Sequence, residues 1–421
     1  MSHEITTLDS GVTVVTEAIR SVRSVSLGFW LDVGSRDEAA GQAGCSHFLE
    51  HLLFKGSARR SARDVAEALD AVGGELNAFT ARELTCFHAR VLDLDLPLAF
   101  DVLADLLVNA SNDPADVEAE RQVIRAELDQ LHDTPDELVH ADLVQALLGD
   151  HPLAAEPLGT AASIAGLERD TIHGYYLERY RPEALTVAAA GNLDHAEVVA
   201  LADQLVGDLG RPGGRRPQRQ APDGYGRGQV SIRQRSSEQV HLAVGAGGLV
   251  QDDEDRFALR VLDMALGGGM SSRLFQEIRE SRGLAYTTFS YATSWTDAGL
   301  LAAYVGTAPD DADEALKVLC EQLDTVATQV TTDELERAKG ALSGAVVLGL
   351  EDTGSRMSRI GHKVATQTPL ITVDEALQRI AAVDRDDVAR VVRRVLGGPL
   401  SIAVIGPVGA DEHERFRAAV A

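Results

Sequence analysis

His47-Phe48-Leu49-Glu50-His51 places two imidazoles and a carboxylate within one turn of chain. In a helix, at about 100° per residue, His51 lies about 40° from His47 and Glu50 about 60° to the other side, so all three side chains can face one ion. A zinc ion held by neutral imidazoles lowers the pKa of a coordinated water to about 7, and a carboxylate one position away can accept that proton without being a ligand. Taken alone, the pattern fits a catalytic zinc site, a structural metal site or a surface pair.

A third ligand is offered downstream. Asp113-Pro114, followed by Asp116, Glu118 and Glu120, predicts a helix start with Asp113 as N-cap and Pro114 in the first turn. Val117, Val123, Ile124, Leu128 and Leu131 then recur at helical spacing, and Glu120 and Glu127, seven apart, share one face beside that apolar stripe. Carboxylates next to buried apolar surface are costly unless a cation pairs with them. Read singly, each is equally consistent with a solvated acidic helix.

These stretches resemble the M16 zinc peptidases (pitrilysin and the mitochondrial processing peptidases, M16B subfamily). That family carries the inverted motif H-x-x-E-H and a later E-R-x-V-I-x-x-E helix, here Glu120-Arg121-Gln122-Val123-Ile124-Arg125-Ala126-Glu127. The resemblance implies one Zn²⁺ per chain held by His47, His51 and Glu127, with Glu50 as general base and Glu120 orienting a ligand histidine. Gly73-Gly74-Glu75-Leu76-Asn77-Ala78-Phe79-Thr80 is similar to the family's G-G-x-x-N-A-x-T edge strand, which implies substrate binding by Asn77, Ala78 and Phe79 through strand addition. Without the zinc motif the same glycines read as an ordinary hairpin entry.

The 421 residues, 45% hydrophobic, suffice for two sizeable domains. Val25, Leu27, Phe29, Leu31 and Val33 alternate as a half-buried strand, and Val240, Leu242, Val244 and Ala246 repeat the pattern about 215 positions on. Thr186 to Gly191 and Ser401 to Gly406 match at a similar offset. The sequence therefore reads as a duplication: a zinc-binding domain over 1–210, a Gly/Pro/Arg-rich linker over 211–228, and a second domain over 229–421. The constant offset puts Leu262, Ala265 and Leu266 at the places of His47, Glu50 and His51, Glu336 at that of Glu120 and Ser343 at that of Glu127, so the second copy lacks the metal set. The fold class expected is α+β: two homologous α/β domains, each a mixed or antiparallel sheet with packed helices of the LuxS/metallohydrolase-like kind, which the resemblance closes into a clam-shell.

In the second half, Ser272-Arg273-Leu274-Phe275 to Arg279-Glu280 and Gly283-Leu284-Ala285-Tyr286 resembles the family segment S-R-L-F-x-x-I-R-E-x-x-G-L-A-Y. The resemblance implies that Arg279 fixes substrate backbone and that Tyr286 donates to the developing oxyanion. The residues alone read as a Gly-rich turn and an amphipathic helix. Gly267-Gly268-Gly269 lacks the lysine and the preceding strand of a phosphate loop, and the family places a hinge or gating loop there. Tyr176, Tyr180-Arg181-Pro182 and Gly191-Asn192 extend the resemblance over nearly the whole chain. Ala154-Ala155 departs from the family's Gly-Arg.

A net charge of −26 and a pI near 4.8 argue against nucleic acid or anionic membrane as partners; they suit basic peptides but are explained first by general solubility. Cys45, Cys86 and Cys320 are too few for a disulfide framework, and His88, His132, His140 and His241 are unpaired in sequence and read as structural. No presequence pattern or long apolar run stands out, so a cytoplasmic protein is expected, and the family implies a homodimer or a heterodimer with a paralogue. The function expected is a zinc endopeptidase acting on unstructured or presequence-like peptides. The alternatives are a non-catalytic binding or assembly subunit of the same fold, and a small-molecule hydrolase using the same motif.

Overall fold

The computed structural model describes residues 3–207, 209, 218–409 and 412–420. Two compact units emerge, one of residues 1–129, 155–219 and 348–372, the other of 130–154, 220–347 and 373–421.

The first unit is built on a six-stranded sheet of β1 (His3–Thr7), β2 (Thr13–Ala18), β3 (Ser24–Leu31), β4 (Glu75–Thr80), β5 (Thr85–Leu92) and β6 (Leu185–Gly191), in the order β1-β2-β6-β3-β5-β4. Only β2 and β6 run parallel. The second unit holds β7 (Val230–Gln234), β8 (Val240–Gly247), β9 (Ala285–Ser294), β10 (Gly299–Thr307) and β11 (Ser401–Gly406), in the order β7-β11-β8-β10-β9, again with a single parallel pair, β7 with β11. Strand for strand this is the first sheet without β1. The fold is α+β with two mixed sheets, and the duplication read from the strand patterns is present in the topology.

Two expectations need correction. β3 is buried along nearly its whole length rather than on one face. One face carries the main core of the unit, including Leu27, Phe29, Phe87, Phe48 and Phe100. The other, with Trp30, Cys86 and Ala188, is covered by Met357 and Ile360 of helix Thr353–Ala365. In the second unit, helix Pro135–Leu148 supplies Leu138, Val139 and Leu143 to a core with Ala243, Ala302 and Ile405. The units are therefore not the contiguous halves 1–210 and 229–421: each sheet recruits a helix encoded in the other half of the sequence. Residues 211–217 of the expected linker lie outside the described residues. Within its described part Arg219 is no passive spacer, since its guanidinium binds Asp32 at 2.8 Å and Asp37 at 2.7 Å.

Candidate metal centre

Helix Cys45–Leu53 begins at Gly44, whose φ of 88° and 2.6 Å approach of a notional Cβ to Ile164 admit little but glycine. That glycine has no side chain to cap the helix. Glu38 does so from upstream, accepting from the backbone N–H groups of Gly44 at 2.8 Å and Ser46 at 2.7 Å. Desolvation pushes the Glu38 carboxyl up to about 7 against the pull of those bonds. Phe48, Leu49, Leu52 and Leu53 face the core, which turns His47, Glu50 and His51 to the opposite, half-buried side.

Helix Pro114–Asp133 starts as its sequence predicts, with Asp113 Oδ1 accepting from Ala115 N at 2.8 Å. Val117, Ile124 and Leu128 are buried, but Val123 is 44% exposed and stands outside the stripe assigned to it. Glu120 takes a buried place instead, 4% exposed, and Glu127 lies one turn beyond Val123 on the side of the histidines.

Ligand atoms of His47, His51 and Glu127 all lie within 4.8 Å of one another, the one such cluster among the described residues. Glu127 Oε2 is 3.6 Å from His47 Nε2 and 3.5 Å from His51 Nε2. These separations are too long for hydrogen bonds but close to the edge of about 3.3 Å that a tetrahedron with zinc–ligand bonds of about 2.0–2.1 Å requires. Two imidazoles and one carboxylate leave a fourth position open, so the donor set fits a catalytic zinc. Burial, and then the neighbouring His51, push His47 down to about 4, which keeps its ring neutral and able to bind metal.

Around this triad, His51 Nδ1 donates to Glu120 Oε2 at 2.9 Å, directing Nε2 toward Glu127. The other Glu120 oxygen is paired with Lys55. Glu50 is not part of the donor cluster. It accepts from Thr80 Oγ1 at 2.5 Å, and burial raises its pKa. Cys45 is buried in the core, not a ligand.

β4 is the outer strand of its sheet. Asn77 and Phe79 alternate with Ala78 and Thr80 and so point to the other face from the Glu50 partner; Asn77 Oδ1 accepts from Ala78 N at 2.8 Å, and Phe79 rests edge-on against Trp30. What the strand offers near Glu50 is therefore main chain and Thr80 rather than the Asn77 amide. In the second unit Arg279 and Tyr286 are brought together: the guanidinium lies 4.3 Å from the Tyr286 ring centroid and donates to the Tyr286 carbonyl at 3.2 Å, with the tyrosine 75% exposed. Arg279 sits on a π-helical turn, Phe275–Glu280, a distortion frequent at functional sites. Gly267 is a packing glycine, since a Cβ there would lie 2.0 Å from Ser290 N.

The second copy of the helix pair is registered differently from the constant-offset alignment. In helix Arg256–Gly267 the buried pairs Val261/Leu262 and Ala265/Leu266 repeat Phe48/Leu49 and Leu52/Leu53. Arg260, Asp263 and Met264, not Leu262, Ala265 and Leu266, therefore occupy the places of His47, Glu50 and His51. Asp263 accepts from Ser290 of β9 at 2.6 Å much as Glu50 accepts from Thr80 of β4. In helix Thr332–Gly349 the buried Leu335, Ala338 and Leu342 repeat Val117, Glu120 and Ile124, so Ala338 rather than Glu336 replaces Glu120, and Ala345 rather than Ser343 replaces Glu127. The offset falls in the first helix because the loop before it is shorter in the second copy, residues 248–255 against 32–44, and rises in the second because the helix before it is longer, Ala312–Gln329 against Leu96–Val108. The conclusion that this copy lacks the metal set is unchanged.

Lys55 and Glu38 were not singled out from sequence. The signal for Lys55 was its place four residues after His51, one turn on, toward the same side as Glu120.

Comparison with known proteins agrees. The family model described as insulinase (peptidase family M16) matches residues 13–161, and that described as peptidase M16 inactive domain matches residues 166–342. An uncharacterized zinc protease of Streptomyces coelicolor is 46% identical over 99% of this chain and 92% of its own length. One from Mycobacterium tuberculosis is 44% identical over 99% and 96%, and one from Bacillus subtilis 36% over 96% and 98%. The crystal structure of a protease from Helicobacter pylori shares the fold with a TM-score of 0.90 at 21% identity, covering 96% of this chain and all of that one. No helix among the described residues is long and apolar enough to cross a membrane. With donors for zinc on two helices and relatives named zinc proteases along its whole length, the chain belongs to the M16 family of metallopeptidases.

Proposed function

We propose that this protein is a zinc-dependent endopeptidase that cleaves unstructured peptides, with one zinc per chain held by the H-x-x-E-H histidines His47 and His51 and by Glu127. The observation that carries the reading is the convergence of these three donors from two helices, with Glu127 Oε2 3.6 and 3.5 Å from the two histidine Nε2 atoms. Zinc bound there supplies Lewis acidity, polarising a peptide carbonyl and acidifying water.

The chain's own residues do the rest. Glu50, beside the donor set but not in it, accepts the proton of the attacking water as hydroxyl adds to the carbonyl carbon, and returns it to the departing amine. Thr80 holds the carboxylate by its Oε2. Glu120 fixes the His51 ring through Nδ1. The free edge of β4 at Asn77, Ala78 and Phe79 accepts an extended peptide by main-chain pairing, which recognises backbone without demanding a sequence. In the second unit Arg279 and Tyr286 are assigned to substrate, the hydroxyl donating to the oxyanion and the guanidinium holding a backbone carbonyl.

Zinc content and hydrolysis of a library of unstructured peptides, measured for wild type beside Glu50→Gln, test the proposal. Zinc in both and cleavage by wild type alone are expected. Cleavage by the variant would remove Glu50 as the base, and zinc without cleavage in either would favour the non-catalytic binding subunit.

A further inference from the structure

Glu120 is held from both sides. Its buried carboxylate accepts from His51 Nδ1 with one oxygen, while the other oxygen meets the Lys55 ammonium, whose side chain keeps a third of its surface in solvent. Lys55 stands one turn beyond His51, just past the C-terminal residue of the helix, so the two donors reach Glu120 from a single element. A carboxylate this buried with one partner would be free to rotate about its last bond and poorly compensated in charge; with a cation on the second oxygen it has one orientation.

The second copy of the fold supplies independent evidence. There Met264 replaces His51, Ala338 replaces Glu120, and Gly268, four residues after Met264, stands where Lys55 follows His51. Met264, Gly268 and Ala338 line one small cleft, whose charged members, Glu334 and Arg337, come from the second helix rather than from the positions of Glu120 and Lys55. A lysine kept merely to solubilise the end of a helix would have no reason to be absent together with the ligand and the acid. The three side chains occur as a set beside the metal donors and are missing as a set where those donors are missing.

From this we infer that Lys55 is a positioning residue of the metal centre: it locks Glu120 in the orientation that holds His51 with Nε2 directed at the metal. The inference rests on the reading of His47, His51 and Glu127 as ligands. Equilibrium zinc affinity, measured by competition with a chromophoric chelator, tests it without reference to catalysis. Lys55→Met is expected to weaken zinc by about 10–100-fold, the range for loss of a partner that orients a ligand. Lys55→Arg, which keeps the charge, restores most of the loss. The double variant Lys55→Met/Glu120→Gln should bind no more weakly than Glu120→Gln alone, because Lys55 acts only through Glu120. A merely structural lysine would instead lower the melting temperature and add its loss to that of Glu120→Gln. Wild-type affinity in Lys55→Met, or full additivity in the double variant, overturns the inference. Lys55→Gln serves the same test if the methionine variant does not fold. Wild type and His51→Ala separate the two levels: no zinc in wild type overturns the ligand assignment and the inference with it, whereas zinc in wild type but not in His51→Ala upholds the assignment and leaves the Lys55 variants to decide.

Discussion

The helix pair Cys45–Leu53 and Pro114–Asp133 and its counterpart, Arg256–Gly267 and Thr332–Gly349, lie on sheets of the same strand order, yet one pair converges three metal donors and the other none. Their core-facing positions are alike: Phe48, Leu49, Leu52 and Leu53 in one, Val261, Leu262, Ala265 and Leu266 in the other. The difference is confined to the opposite side of the helix. Packing against the sheet fixes where a helix sits, and the residues on its free side can change without disturbing that placement. Chemistry and fold are thus carried by separate faces of one helix, so exchanging residues between the copies probes one without the other.

The largest effect is expected from giving the first copy the second copy's residue at a ligand position. His51→Met should abolish stoichiometric zinc and bring peptide hydrolysis to background, because a tetrahedral site cannot form from one imidazole and one carboxylate. Metal analysis of the purified variant checks this, and a full complement of zinc would show that His51 is not a ligand. Glu50→Asp, again the residue of the second copy, tests placement rather than chemistry. It should keep zinc but lose about 10²-fold in turnover, since shortening the side chain by one methylene moves the carboxylate by about 1 Å or more. Turnover within a factor of a few of wild type would mean that Glu50 need not be held where Thr80 holds it.

The exchanged helices give a second contrast. Arg356 of helix Thr353–Ala365 donates to Glu17 of β2 at 2.5 Å, with both side chains almost wholly buried. At the equivalent place in the second unit the polarity is reversed and the pair is exposed on its arginine side: Arg233 of β7 donates to Asp142 of helix Pro135–Leu148 at 2.6 Å. Without Arg356, the buried Glu17 keeps only the longer and more exposed contact to Arg359, at 3.7 Å. Arg356→Met should therefore lower stability by about 3–5 kcal/mol, read as an earlier denaturant midpoint. An unchanged midpoint would show that Arg359 or water compensates Glu17 when Arg356 is gone.

Burial also sets a pH dependence in the first copy. Glu38 has a folded pKa raised from 4.5 to about 7, so the folded protein binds the proton more tightly than the unfolded chain does. Its contribution to stability is then fullest below pH 4.5 and is lost as the pH rises toward and through about 7. Glu38→Gln cannot ionise and should lack this loss. Between pH 5 and 8 the melting temperature of wild type should fall relative to the variant by an amount equivalent to on the order of 1–3 kcal/mol. Parallel profiles would indicate that the Gly44 and Ser46 N–H groups fully offset desolvation.

The shared face of His47, Glu50 and His51 and the Asp113 cap could be read directly from sequence because helical periodicity is local: His51 lies four positions after His47, and the cap acts within one turn, whereas Glu127, on a second helix, entered only with the family resemblance. The strand alternation of Val25 to Val33 likewise gave the strand but not its burial, since the second face is covered by a helix more than three hundred residues away in the chain. The amphipathic pattern of Thr353–Ala365 says that it must cover something and is silent on which sheet. The same blindness hid the partnership of Lys55 with Glu120, which depends on how two helices pack. The constant-offset alignment failed for a related reason, because a repeat is fixed by packing contacts and the loops between them change length without penalty.

The smallest expected effect completes the contrast between the exchanged helices. Arg233 is almost half exposed, so its attraction to Asp142 is screened by solvent and opposed by the entropy of holding a long side chain. Arg233→Ala should cost no more than about 1 kcal/mol, and added salt should shrink that further. Asp142 is more buried than its partner, which gives the experiment its edge: a loss comparable to that of Arg356→Met would mean that desolvation of the acid alone decides the cost. A negligible loss would instead locate the specificity of helix Pro135–Leu148 in Leu138, Val139 and Leu143, with the reversed ion pairs acting only where both members are out of water.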